Sequence, residues 1–240
     1  MFDSIRVNTH PPTASRRGPG RSLCSRRDAL VLVWLLIAGS TAVTPGSANA
    51  EPASCHPAEL FASDNRDSRE PDELEPGQLR LFEIQADATL ALNRAPATGS
   101  VLLDGVFWSD ERQQVSTERS RQFHLCVADE PTLHAAAEAL RRQFDQQAVL
   151  TFDYPTETVR DPQAALITVP GIEFARFRDA FTADEDAHHR LLGGSVSAAE
   201  PTLILVAGNG DLDIARRLVE ASGGDWATAD VAFGDREIVR

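Results

Sequence analysis

Between Tyr154 and Ala165 the chain holds two prolines, Pro155 and Pro162, and no amphipathic run. Parallel neighbouring strands need a crossover connection, usually a helix. This interval has no helix to offer, although strand-like runs, Ala148 to Tyr154 and Ala165 to Val169, stand on both sides of it. That restriction argues against a doubly wound α/β sheet, the alternative that three strand–turn–helix units in the chain would suit. It favours an antiparallel sheet with helices packed on one face.

The order of elements points the same way. Phe123, Leu125 and Val127 alternate with Gln122, His124 and Cys126, so Arg121 to Ala128 reads as a half-buried strand. Asp129 and Pro131 then open a helix whose apolar face carries Leu133, Ala137, Leu140 and Phe144. A second helical stretch runs from Ile172 to about Leu192, with Phe174, Phe177 and Phe181 as its stripe. Thr182 and Glu185 have capping-box spacing, so the helix restarts there, and Gly193-Gly194 ends it. Leu203 to Ala207 reads as a buried strand.

From about 121 to 207 the pattern is strand, helix, strand, strand, helix, strand: a ferredoxin-like split βαββαβ sandwich of the α+β class. Two strands, Leu79 to Ile84 and Val101 to Trp108, precede it. A C-terminal helix–strand extension follows, its helix capped by Asp211 and its strand at Asp230 to Phe233. Residues 78–240 thus form a single α+β domain. Residues 51–77 are polar, charged and punctuated by Pro71 and Pro76, the composition of a disordered linker.

Residues 1–50 read as an export signal peptide. Arg26 and Arg27 lead into an apolar run from Ala29 to Ala38, and Ala48-Asn49-Ala50 follows as an A-x-A cleavage site. Ser25-Arg26-Arg27-Asp28-Ala29-Leu30 resembles the twin-arginine export signal, with Ala29 where an aromatic is usual. Twin-arginine and Sec export both fit. Gly39, Ser40 and Thr41 break the apolar run short of the roughly 20 residues that a spanning helix needs. Cleavage places the mature chain in the periplasm or the medium, with no stable membrane association.

Cleavage also leaves 17 of the 23 basic residues and 34 of the 36 acidic ones, a net charge of −17. That surface repels phosphate backbones and argues against nucleic acid as a partner. The chain has no lysine at all, and its acid excess is halophilic-like. Cys55 and Cys126 are the two cysteines left after cleavage, and an oxidising compartment suits one disulfide between them.

No stretch carries a catalytic or cofactor signature. G-x-S-x-G, H-E-x-x-H and P-loop patterns are absent from the sequence. Gly208-Asn209-Gly210 follows a strand, but Asp213 replaces the third glycine and Asp211 opposes a pyrophosphate, so a tight turn is the reading and no cofactor is expected. Asp184, Glu185, His188 and His189 have helical spacing for metal ligation. Capping and local acid–histidine pairs account for the same residues, so no metal is assigned. His124 and Cys126 share one strand face, the layout of a Cys–His pair. The resulting expectation is an exported binding or accessory module of the cell envelope, its partner an envelope protein or a small ligand. A small periplasmic enzyme, using the acid–histidine cluster or the Cys–His pair, is the alternative.

Overall fold

The computed structural model describes residues 55–63, 76–155, 162–191 and 193–240. Eight strands and five helices follow in the order β1 (His56–Ser63), α1 (Pro76–Leu92), β2 (Ala97–Ser109), β3 (Gln114–Val127), α2 (Glu130–Gln143), β4 (Val149–Asp153), β5 (Ala164–Pro170), α3 (Phe174–Ala183), α4 (Glu185–Arg190), β6 (Gly194–Ser197), β7 (Thr202–Gly208), α5 (Leu212–Ala221) and β8 (Asp230–Val239). All neighbouring strands are antiparallel. They close into a barrel in the order β1-β3-β2-β6-β7-β5-β8-β4.

The barrel is one pattern used twice. The first half runs β-α-β-β-α-β and orders its strands β4-β1-β3-β2; the second half, with α3 and α4 in its first helical slot, orders them β8-β5-β7-β6. Pairing of β2 with β6 and of β4 with β8 joins the two half-sheets at both edges. Closure removes the exposed edges that an open sheet has to protect.

This overturns both architectures expected from sequence. A ferredoxin-like sandwich over 121–207 has free edges and takes its strands from both halves, whereas the structure closes every edge. The doubly wound α/β alternative fails because no two neighbouring strands are parallel. β4 and β5 do run in the same direction, but β8 lies between them and pairs with each. The proline-bearing connection therefore never bridges parallel neighbours.

Two segments depart from expectation for a common reason: their neighbours, rather than their own patterns, stabilise them. Residues 56–63, placed in a disordered linker, form β1, which is hydrogen-bonded to β3 on one side and β4 on the other. Ala58, Leu60 and Ala62 are buried there. Leu79 to Ile84, read as a strand, lies within α1, whose buried face carries Phe82, Ala86 and Leu90 at four-residue spacing. The short strand β6 has no counterpart in the sequence reading, and Gly193 enters it at φ +146°. A β-carbon at Gly193 would lie 2.4 Å from the Val106 carbonyl oxygen, so only glycine permits this approach to β2. The proposed leader lies outside the described residues, as does most of the rest of the linker.

Each half-sheet buries its outer face under its own helices. Ala58, Leu60, Phe123, Leu125 and Val127 pack beneath α1 and α2, together with Leu133, Leu140 and Phe144. Ile167, Leu203 and Leu205 pack beneath α3 to α5 with Phe177, Phe181 and Leu218. Asp129 caps α2 as the sequence indicated, accepting from the Thr132 amide at 2.9 Å. A third cluster, with Leu103, Phe152, Leu166, Ile204 and Val206, fills the waist of the barrel. Among the described residues no helix is long and apolar enough to cross a membrane.

Candidate functional site

Strand alternation assigns one set of side chains to the helices and the other to the barrel interior. On β3 the helix-facing set is Phe123, Leu125 and Val127. The opposite set is therefore inward: Glu118, Ser120, Gln122, His124 and Cys126. This is the polar stripe of an interior that is otherwise apolar at its waist. The stripe serves two separate arrangements, one at each end of the barrel.

At the end marked by the β2–β3 turn, the interior opens into a cavity of about 400 Å³. Glu118 is on its wall, with Ser63, Ser120 and Ser195. Register explains the grouping: Glu118 is opposite Gly105, Gly105 is opposite Ser195, and Ser120 is opposite Ser63. Phe61, Leu150, Ile204 and Val206 supply apolar wall, and Asp110, Gln147 and Arg240 also line the cavity. Burial pushes the Glu118 carboxyl above the ordinary carboxylate range, and the Ser63 hydroxyl opposes part of that rise. Among the described residues no arginine or histidine forms an ion pair with Glu118. A carboxyl held this way is an unspent hydrogen-bonding and charge-bearing group facing a ligand-sized space.

At the other end Glu59 is the hub. Its carboxylate is buried and meets Gln122 Nε2 at 3.0 Å, His124 Nδ1 at 2.7 Å and the Tyr154 hydroxyl at 3.1 Å. Burial, reinforced by Glu59, raises the Tyr154 phenol well above its ordinary range, so Tyr154 stays a neutral donor. Nδ1 is the ring nitrogen that faces Glu59, and the His124 side chain is 41% exposed. Cys126, the next inward position on β3, is bonded to Cys55, with Cα atoms 5.2 Å apart. The expected disulfide is therefore present, and while it stands Cys126 has no thiolate to offer a Cys–His nucleophile.

The residues 184–189 do not converge on a metal site. Asp184 caps α4 through the Ala187 amide and is held by Arg217, whose guanidinium keeps its carboxyl below the ordinary range. Glu185 is exposed on the first turn of α4. The His188 ring stacks on Trp108 with centroids 4.5 Å apart, its Nε2 2.7 Å from the Phe181 carbonyl. His189 meets the same indole edge-on. The capping box expected of Thr182 is not formed either; Thr182 donates to the Arg178 carbonyl instead. Asp211 makes no side-chain cap on α5 and pairs with Arg190. No group of three or more metal-binding side chains occurs among the described residues.

Sequence reading overlooked Glu118 and Glu59. Alternation is legible only from Arg121 onward, as a half-buried strand, and nothing local announces that the sheet closes around its polar face.

No family model matches the chain, and no curated protein matches it. Among solved structures, a phage SAM lyase in complex with S-methyl-5'-thioadenosine is similar at 20% identity, over 45% of this chain and 87% of that one, with a TM-score of 0.33. A likeness of that size bears on neither fold nor function here.

Proposed function

We propose that this chain is an exported binding module that takes a small molecule into the Glu118 end of its barrel. The observation that carries the reading is the cavity of about 400 Å³, lined by apolar residues, three serines, Arg240 and two carboxyls, Glu118 and Asp110, neither with an ionic partner among the described residues. Its volume falls within the roughly 300–1,000 Å³ of small-molecule sites, and a few polar groups on an apolar wall is their usual chemistry. The leader and the disulfide support a periplasmic or secreted setting.

A fragment screen by ligand-observed NMR on the mature protein and on Ser195→Phe tests this. Fragments that bind the native chain and lose binding when the introduced aromatic ring fills the cavity are expected. A screen with no such fragments would remove the reading.

The Glu59–His124 contact favours a second reading, an enzyme with His124 as general base. A panel of chromogenic ester and phosphoester substrates separates the two: turnover abolished by His124→Gln would displace the binding role, and absence of turnover leaves it standing.

A further inference from the structure

We propose that the ligand of the Glu118 cavity is an organic cation, an amine with an apolar or aromatic body. This rests on the binding reading above and adds the chemical class of the ligand. Partial desolvation on the barrel wall favours either a proton on the carboxyl or a positive charge beside it. Among the described residues the strands flanking Glu118 supply no such charge beside it. Its register partner on β2 is Gly105, with the Ser195 hydroxyl beyond it on β6, and on the other side of β3 Ser63 of β1 is opposite Ser120. The charged residues that line the space are Asp110, which adds to the demand for a cation, and Arg240. Ser63, Ser120 and Ser195 offer oxygens that accept from an ammonium.

The rest of the cavity suits the rest of such a molecule. Phe61 and Phe107 line it, and aromatic rings tolerate a neighbouring cation better than aliphatic walls do. The chain as a whole carries a net charge of −13, which raises the local concentration of cations and lowers that of anions. A carboxylate ligand would face both Glu118 and that field. A neutral amide would pair with the protonated carboxyl but would gain nothing from the field.

Calorimetry with three probes of one shape decides the matter: tryptamine, indole-3-acetamide and indole-3-acetic acid. Tryptamine is expected to bind at least roughly tenfold more tightly than the other two, and Glu118→Gln to remove that advantage. The native protein provides a readout that needs no variant. An ammonium requires the ionised carboxyl, so binding displaces the Glu118 proton, and the measured enthalpy changes between buffers of different ionisation enthalpy. Affinity for tryptamine then rises with pH as Glu118 is deprotonated.

Equal or tighter binding of the amide or the acid overturns the amine assignment and leaves the cavity reading intact. So does tryptamine binding without proton release at pH values where Glu118 is protonated. Failure of all three probes, while fragments from the screen still bind, also overturns it. Failure of the fragments as well removes both.

Discussion

Gly105 gives up its side-chain volume to Glu118: the two are cross-strand partners, and a β-carbon on Gly105 would lie 3.2 Å from Glu118 Cγ. The same atom would lie 3.1 Å from the Ser195 hydroxyl oxygen. A valine there crowds the wall of the cavity without touching the helix layers. We expect Gly105→Val to fold, to lose about 1–3 kcal/mol of stability through overpacking, and to weaken binding of any fragment seated beside Glu118. Urea denaturation and NMR titration of the same variant measure both effects. Unchanged fragment binding would place the ligand elsewhere.

Glu118 makes stability depend on pH in a defined direction. Its folded value is raised above the ordinary 4.5, so the folded state holds the proton after the unfolded state has released it. Below the ordinary value both states are protonated and the group is neutral in its effect. As pH rises through the window between the two values, the folded state loses stability relative to the unfolded one. Glu118→Gln removes that loss. Its melting temperature should exceed that of the native protein near neutral pH, and the two should converge at about pH 4. A native protein that is the more stable at neutral pH would mean that Glu118 is ionised and paired.

Glu59 holds three donors together, so its removal leaves Gln122 and Tyr154 with unsatisfied polar groups inside the barrel. We expect Glu59→Leu to cost on the order of 2–4 kcal/mol. Tyr154→Phe removes one donor and leaves two, so it should cost about 1 kcal/mol. Chemical denaturation of the two variants provides the comparison. Similar losses in both would show that Glu59 is not the hub of the cluster.

The Cys55–Cys126 disulfide closes a loop with a sequence separation of 71 and ties the start of β1 to β3. In the chain-entropy model such a loop contributes on the order of 4 kcal/mol. β1 is also held by ladders on both sides and by burial of Leu60, which reduces its dependence on the bond. Reduction, or a Cys55→Ala/Cys126→Ala variant, is expected to lower the melting temperature while leaving the barrel folded. Intact mass with and without reductant, followed by circular dichroism, checks both statements. Two free thiols in protein recovered from an oxidising compartment would contradict the bond.

Where structure was encoded locally, the sequence was enough to find it. The alternation of Phe123, Leu125 and Val127 with polar neighbours, the Asp129 cap, the stripe of Phe177 and Phe181, and the runs at Ala165–Val169 and Leu203–Ala207 all stand as elements or faces of the barrel. The Cys55–Cys126 pairing was legible on the expectation that cleavage removes Cys24 and leaves two cysteines. Periodicity, however, reports one face of one element at a time. It cannot say that Leu103 pairs with Ser197, or Val149 with Val239, and those distant pairs are what close the sheet. Closure turns the second face of β3 from a solvated surface into an interior, and so makes a site of Glu118 and a hub of Glu59. β1 and α1 were lost for the same reason, since their neighbours stabilise them more than their own residues declare.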